Sequence, residues 1–425
     1  MDFANAAQRC CHCHLGFHCL ESDDPSRTLT KVITPAARSV ADRPVSAPLV
    51  GVRVLDLTRL LPGPMSTLHL ADLGADVIKI EDLGVGDYAA ASVRSLANRN
   101  KRGIRIDLKQ PAGIATLLRL CREADVLVEG FRPGVMQRLG LGYETVAAVN
   151  PRIVYCSLSG FGQTGPLRDM PAHDLNYAAL TGVADQMGTA NDPALSNLPI
   201  ADLLGGTMTA VMGILAALFD AARSGHGRYV DIAIADGVLA HAVLPLAALN
   251  QHGKPTPAGQ GTLTGALACY ALYRTADHRY VEVGALESKF WDALCLRLER
   301  PDLTALHRTG DMKTERSLRD ELRAIFGARP LAHWAALFAG SPACVTPVLR
   351  LDETLAHAHF QSRGMTLRSP VDGLTQLACP VKMSGFEFAV RYPAPDPGQH
   401  TDEVLREAGF DESELTALHA AAAIG

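Results

Sequence analysis

Residues that can exchange protons stand in two short segments of the chain. His173 and Asp174 lie side by side in PAHDLNYAALTGV, residues 171–183, and Asp202 follows in SNLPIADLLGGTM, residues 196–208. An imidazole and a carboxylic acid on opposite faces of one carbon atom could remove a proton and return it. The carboxyl of Asp202 would then need a raised pKa, which burial among apolar neighbours provides. The alternative is structural, because either aspartate could be a helix N-cap.

An alternation of strands and helices must position these side chains. Short apolar strands are predicted at 51–58, 76–82, 102–108, 125–131 and 152–162. Such strands separated by helices are typical of a parallel sheet covered on both faces, which predicts an α/β fold with a Rossmann-like sheet. Ligands of such sheets bind beyond the carboxyl ends of the strands. The loops found there are TRLLPGP, EGFRPG and SGFGQTGP, and no G-x-G-x-x-G opens the first helix to favour a dinucleotide.

Composition and pattern predict five segments along the chain. They are an N-terminal extension without periodicity (1–48), a large α/β domain (49–235), a linker (236–264), a smaller α+β domain (265–350) and a C-terminal segment that returns to the large domain (351–425). The first nineteen residues hold four cysteines and three histidines, which could bind a metal. Their spacing lacks paired C-x2-C knuckles, so we expect no metal site.

Bulk properties exclude several classes of partner. The 425 residues carry a net charge of −5, which gives no general attraction for nucleic acid or an anionic membrane. Aromatic residues make up only 5%, too few to suggest a stacking platform for single strands. The apolar run TAVMGILAALF, residues 209–219, is shorter than the ~20 residues of a membrane helix and predicts a buried core helix. With no secretory signal recognised, we expect a cytoplasmic protein.

Several long motifs carry a family resemblance over the chain from about residue 49 onwards. In order they are ADLGADVIKIE, NRNKRGIRIDLK, LVEGFRPGVMQRLGLGYE, LSGFGQTGP and AHDLNYAALTGV. With them the sequence resembles the family III CoA-transferases, the CaiB/BaiF superfamily, and within it is most similar to the α-methylacyl-CoA racemases. The resemblance implies an acyl-CoA thioester as substrate and no cofactor beyond the CoA that the substrate carries. It also implies an interlocked homodimer, with each site between one subunit's large domain and its partner's small domain.

The same resemblance assigns roles to particular residues. It places the family's aspartate at Asp202, the racemases' histidine at His173, and a glutamate that orients this histidine at Glu287 in GALESKF. It also implies contacts with CoA. Lys109, Arg132 and Arg138 would supply cationic side chains, and Ile106 and Leu108 an apolar pair against the adenine. The main chain would approach CoA closely at Gly130 and Phe131, and Ala172, Asp174 and Tyr177 would contact it as neighbours of the histidine. The alternative for such cations is a solvated loop end, and the run Arg99, Lys101 and Arg102 could be one as well.

Three functions remain in competition at this stage. The first is a racemase or epimerase of 2-methyl-branched acyl-CoA thioesters, working through His173 and Asp202. The second is a CoA-transferase that moves CoA between carboxylic acids through an intermediate on Asp202. The third is a non-catalytic CoA-binding protein, which would not need His173, Asp202 and Glu287 together. The acyl chain stays open, because LTGALA, residues 263–268, departs from the corresponding racemase segment.

Overall fold

A parallel six-stranded sheet lies at the centre of the protein. The computed structural model describes residues 47–84, 86–369 and 373–425. The strands of this part are β1 (Arg53–Leu57), β2 (Asp76–Glu81), β3 (Lys101–Arg105), β4 (Val126–Glu129), β5 (Val154–Ser159), β6 (Gly188–Thr189), β7 (Asp192–Pro193), β8 (Tyr229–Ala233), β9 (Tyr270–Arg274), β10 (Tyr280–Gly284), β11 (Val345–Pro347), β12 (Thr366–Arg368) and β13 (Thr375–Leu377). The predicted extension, 1–48, falls almost wholly outside the described residues, as does its cluster of cysteines and histidines.

The central sheet has the strand order β3-β2-β1-β4-β5-β8, and every neighbouring pair is parallel. The order reverses between β1 and β4, which is the Rossmann arrangement predicted from the sequence. Strands β1 to β5 lie within the five predicted segments, except that β3 begins one residue earlier. The sequence reasoning missed β8, an edge strand whose first three residues, YVD, are partly or largely exposed.

The described residues form sixteen α-helices and one π-helix, some of which pack on the two faces of this sheet. They are α1 (Pro62–Asp72), α2 (Ala91–Ala97), α3 (Pro111–Cys121), α4 (Val135–Arg138), α5 (Tyr143–Val149), α6 (Asp174–Leu180), a π-helix (Ala201–Met208), α7 (Thr209–Ser224), α8 (Ile234–Leu239), α9 (Val243–His252), α10 (Ser288–Arg297), α11 (Met312–Gly327), α12 (Leu331–Phe338), α13 (Leu351–Ala356), α14 (Ala358–Ser362), α15 (Thr401–Glu407) and α16 (Glu412–Ala420). Alternate strand residues feed two cores, so that Leu55 belongs to one and Val54 to the other. The first core also includes Leu405 of α15 and Leu415 of α16.

A separate hydrophobic cluster occupies the region from Ala268 to Val345. Strands β9, β10 and β11 form an antiparallel sheet there, and the turn between β9 and β10 lies at residues 275–279. Trp291 is fully buried in the cluster, and its indole N–H donates to the Leu303 carbonyl over 3.0 Å. Because this hydrogen bond satisfies the indole N–H, the large ring is buried without an unpaired donor.

The apolar helix and the linker differ from their predictions. The π-helix runs directly into α7, so the helical stretch Ala201–Ser224 has 24 residues and, by length and composition alone, is long enough to cross a membrane. Only one face of α7 is buried, and Met212 and Phe219 are 65% and 66% exposed. The prediction of a buried core helix therefore holds for one face of α7 only. Residues 236–264, predicted as a linker, contain most of α8 and all of α9.

Candidate active site

A cavity of about 510 Å³ opens at the carboxyl ends of β1, β4 and β5. It spans the point where the strand order reverses, which is the usual ligand position in open α/β sheets. The loops TRLLPGP, EGFRPG and SGFGQTGP all contribute to its wall, as predicted. The structure brings the following predicted residues to the cavity: Gly130, Phe131, Arg132, Ala172, His173, Tyr177 and Asp202.

His173 stands at the entrance to α6. It occupies the N-cap position, with an extended backbone, and its main-chain N–H donates to Asn176 Oδ1 over 3.0 Å. Its side chain is exposed to the cavity. The prediction that Asp174 caps this helix is wrong, because Asp174 is the first helical residue. His173 is therefore both the N-cap residue of α6 and the residue that brings an imidazole to the cavity.

Asp202 projects from the second position of the π-helix. It is not the N-cap, which is Ile200, so the capping alternative is wrong for Asp202 too. The wider π-turn holds two glycines, and a Cβ on Gly205 would come within 2.3 Å of the Ile234 carbonyl oxygen in α8. This close approach explains glycine here. π-Helical turns inside longer helices occur frequently at functional sites.

Asp202 has the electrostatics of a proton donor. Burial and, to a smaller extent, the nearby Asp174 carboxylate raise its pKa from 3.8 to about 6, while His173 opposes both effects. His173 is therefore close enough to act on the Asp202 charge. The main-chain N–H of Asp202 donates to Asp174 Oδ1 over 2.9 Å. Asp174 does not line the cavity, and its contact with the site passes through Asp202.

Tyr177 lies on α6, four residues after His173, and lines the same cavity. Its hydroxyl donates to the Ala172 carbonyl over 3.0 Å, and its ring packs edge-to-face on Phe161 with centroids 5.3 Å apart. Burial, together with the charges of Asp202 and Asp174, raises the pKa of Tyr177 to about 12, so its hydroxyl stays protonated at neutral pH. Gly160 lies against this ring, and a Cβ there would come within 2.3 Å of the Tyr177 hydroxyl. Because Gly160 has no side chain, the Tyr177 ring can occupy the space beside it.

Arg59 lines the cavity and was missed by sequence reasoning. Its guanidinium lies 2.8 Å from Asp82 and stands over the rings of Tyr88 and Phe131, at 4.9 and 5.2 Å from their centroids. The signal was available, since Arg59 follows β1 directly in a loop that was predicted to face the ligand. Arg168 also lines the cavity and was likewise overlooked.

Six of the predicted residues do not line the cavity in this chain: Ile106, Leu108, Lys109, Arg138, Asp174 and Glu287. Ile106 is 1% exposed and packs in the core, bridged to Ile424, which leaves its side chain little surface for an adenine ring. Lys109 and Arg138 are exposed on loop and helix ends. Glu287 is an exposed N-cap residue of α10. The run at 99–102 is no solvated surface, because Arg99 and Lys101 are buried.

The family model for CoA-transferase family III matches residues 49–401. The chain belongs to this family. Alpha-methylacyl-CoA racemase of Mus musculus is 36% identical over 385 residues, covering 87% of this chain and 96% of the racemase. Succinyl-CoA:glutarate CoA-transferase of Mus musculus is 33% identical over 390 residues, covering 87% of this chain and 89% of the transferase. Among solved structures, a CAIB/BAIF family protein from Brucella suis superposes with a TM-score of 0.75 at 27% identity, covering 85% of this chain and 99% of that one.

This family membership identifies the protein as an enzyme. Its relatives carry two kinds of name, racemase and CoA-transferase, and both kinds name a CoA thioester or CoA itself. The cavity that His173 and Asp202 line lies at the usual ligand position of open α/β sheets.

Proposed function

We propose that this member of the family is a racemase or epimerase of 2-methyl-branched acyl-CoA thioesters. The observation that carries the proposal is the pairing of His173 and Asp202 on one cavity, with the pKa of Asp202 raised to about 6. One member of the pair removes the proton on the carbon beside the thioester carbonyl. The other returns a proton to the opposite face of the planar enolate. Exchange of their protonation states reverses the direction.

A CoA-transferase is the second candidate function. The succinyl-CoA:glutarate relative supports it, because its identity to this chain is nearly that of the racemase. In that reaction the Asp202 carboxylate would attack the thioester and release the CoA thiolate. The CoA thiolate would then attack the aspartyl carbonyl of the mixed anhydride, release the donor carboxylate and leave CoA as a thioester on Asp202. An acceptor carboxylate would attack this thioester and release the CoA thiolate again, and the thiolate would attack the acceptor carbonyl of the new anhydride to form the new acyl-CoA and regenerate Asp202. His173 would have no proton-transfer step to perform at the substrate carbon.

Deuterium incorporation separates the two reactions. We expect the purified protein, incubated with a (2R)-2-methylacyl-CoA in deuterated water, to exchange the α-proton and lose stereochemical purity without an added acid. Strict dependence on a second carboxylate, with unlabelled thioester recovered, would instead support the transferase. Hydroxylamine is the complementary probe, since it traps an activated acyl group on Asp202 only in the transferase reaction.

We further propose an interlocked homodimer in which the partner's Glu287 reaches His173. Two features of this chain support it: Glu287 lies exposed and away from its own cavity, and apolar side chains on α7 and α9, among them Phe219 and Leu244, are largely exposed. Exposed apolar patches of this kind commonly mark protein interfaces. CoA would enter as part of the substrate, and the proton transfers need no other cofactor.

A further inference from the structure

Two lysines and two aspartates are buried behind the cavity wall. Asp56, Lys79, Asp87 and Lys101 are each at most 1% exposed, and we call them the buried charge cluster. Lys101 Nζ lies 3.1 Å from Asp56, and Lys79 Nζ lies 3.8 Å from Asp56 and 3.7 Å from Asp87. Because burying such groups carries a desolvation cost that their attraction barely offsets, the cluster is poorly explained by stability alone.

Asp56 and Lys101 form the pair of closest opposite charges in the cluster. Burial by itself would raise the pKa of Asp56, but the two ammonium groups and the hydroxyls of Thr58 and Thr67 hold it well below its usual range. Burial lowers the pKa of Lys101 to about 8, against the opposing effect of Asp56. At neutral pH Asp56 is therefore a charged acceptor and Lys101 a charged donor, and hydrogen bonds to charged groups are the stronger ones.

The cluster holds one segment of the cavity wall, the loop after β1 together with the first turn of α1, from Thr58 to Pro64. Lys79 Nζ donates to the Thr58 carbonyl at the start of this loop, and Lys101 Nζ donates to the Pro64 carbonyl over 2.8 Å at its end. In the middle, the Leu60 N–H donates to Asp87 Oδ1 over 2.7 Å and also lies 3.1 Å from the Asp87 main-chain oxygen. The loop is thus held at its beginning, middle and end.

Leu60 is in a conformation that a leucine rarely adopts. Its φ is +66°, in the left-handed region, and its side chain lines the cavity. Tyr88, the residue after Asp87, has a φ of +64°, so two left-handed residues flank the cluster's contact with the loop. Conformations of this kind persist only where surrounding contacts enforce them, and they concentrate at functional sites.

The far side of the same loop touches the helix that carries Asp202. Thr207 Oγ1 donates to the Pro62 carbonyl over 2.8 Å, and a Cβ on Gly206 would come within 2.9 Å of the Pro62 side chain. A shift of the loop would therefore be passed to the π-helix. The cluster itself does not line the cavity, so its members can act on the site only through the loop.

We propose that the buried charge cluster is a positioning device that holds Leu60 in its left-handed conformation and so sets the cavity wall against the Asp202 helix. Asp87 is its central positioning residue, since it accepts the Leu60 N–H. The inference rests on the proposed function only in taking this cavity as the active site. Racemase and transferase would depend on the wall equally.

Rescue by glycine tests the proposal, because glycine adopts a positive φ without the steric penalty. We expect Asp87→Ala to lower kcat/KM for α-proton exchange, and to weaken CoA binding measured by calorimetry, by about tenfold each, the effect of a loss near 1.4 kcal/mol. Adding Leu60→Gly should restore both to within about threefold of wild type. The matched control is Glu299→Gly, which removes a left-handed residue with φ of +56° far along the chain and should restore neither.

Two results would overturn the proposal: a double variant as impaired as Asp87→Ala, or equal recovery with Glu299→Gly, which would indicate general stabilisation. If Asp87→Ala does not yield folded protein by circular dichroism, Asp87→Asn takes its place with the same second substitutions, and the same two results would overturn the proposal. A wild-type protein that binds CoA but exchanges no deuterium would count against the proposed racemase alone, since the CoA affinities of the variants still decide the positioning role.

Discussion

The main-chain N–H of Asp202 donates to the carboxylate of Asp174 over 2.9 Å. This bond joins the start of the π-helix to the start of α6, where His173 is the preceding residue. The two groups that we propose as acid and base are therefore held at one junction between helices. The same carboxylate raises the pKa of Asp202, so a single side chain affects both the position and the protonation of the site.

Removal of either proton-transfer group should abolish most of the racemisation. We expect His173→Ala and Asp202→Asn each to lower the rate at which a single enantiomer loses stereochemical purity at least ~100-fold, the usual scale for a lost general acid or base. CoA affinity by calorimetry should change little. Met170→Leu, which alters a cavity residue without proton chemistry, is the control and should retain racemisation. Two variants with near-normal racemisation would exclude the pair.

The acid limb of the pH profile should depend on Asp202. Below pH about 6 Asp202 is protonated, so kcat/KM for the direction in which its carboxylate removes the α-proton should fall as the pH drops through this value. Asp174→Asn removes a charge that raises the pKa of Asp202 and should move the limb to lower pH. The exposed Asp192→Asn removes the same charge away from the cavity and should leave the limb in place.

The ionised Asp202 carboxylate should also destabilise the folded protein at neutral pH. Its folded pKa of about 6 exceeds the unfolded value of 3.8, so the folded state binds the proton more tightly and stability falls as pH rises from about 4 through 6. We expect Asp202→Asn to raise the free energy of unfolding by about 1 kcal/mol at pH 7.5, a value reduced for the partial exposure of the side chain. Urea denaturation at pH 7.5 and at pH 4 checks this, and the gain should nearly vanish at pH 4.

Two glycines on the cavity should respond differently to an added methyl group. In Gly160→Ala the new Cβ would overlap the Tyr177 hydroxyl, so we expect about 1–3 kcal/mol of lost stability in urea. In Gly130→Ala the nearest atom lies 3.8 Å away, so stability should hold. If a ligand approaches the main chain at Gly130, as the family resemblance implies, CoA affinity should fall in that variant. Unchanged affinity would remove Gly130 from the binding site.

Subunit mixing tests whether each site draws on two chains. We expect Glu287→Ala and His173→Ala chains, inactive alone, to recover about a quarter of wild-type activity when unfolded and refolded together. Half of randomly paired dimers are mixed, and half of their sites carry neither change. His173→Ala mixed with Asp202→Asn is the control and should recover nothing, because those two residues belong to the same site in one chain. No recovery in the first mixture, with mixed dimers confirmed by mass, would place Glu287 in its own chain's site.

Local pattern was sufficient for much of the architecture. The strands from β1 to β5 could be predicted because each is a short apolar run, and their helices because proline and periodicity mark them. The loops around the cavity could be predicted because parallel strands present their carboxyl ends at one edge of the sheet. The pairing of His173 with Asp202 could not be predicted in this way and was implied only by the family resemblance. The family resemblance then supplied their roles as a hypothesis.

The sequence alone determined the parallel sheet, the edge at which a ligand would bind and the two residues best suited to move a proton. Only the tertiary structure decided that Asp174 would contact Asp202, that Arg59 would stand between two rings in the cavity, and that Lys101 would be buried rather than solvated. The physical reason is the range of the interactions. Apolar periodicity acts within one element, whereas the burial of a charge depends on partners such as Asp56, which lies 45 positions away in the chain and meets Lys101 only in the folded protein.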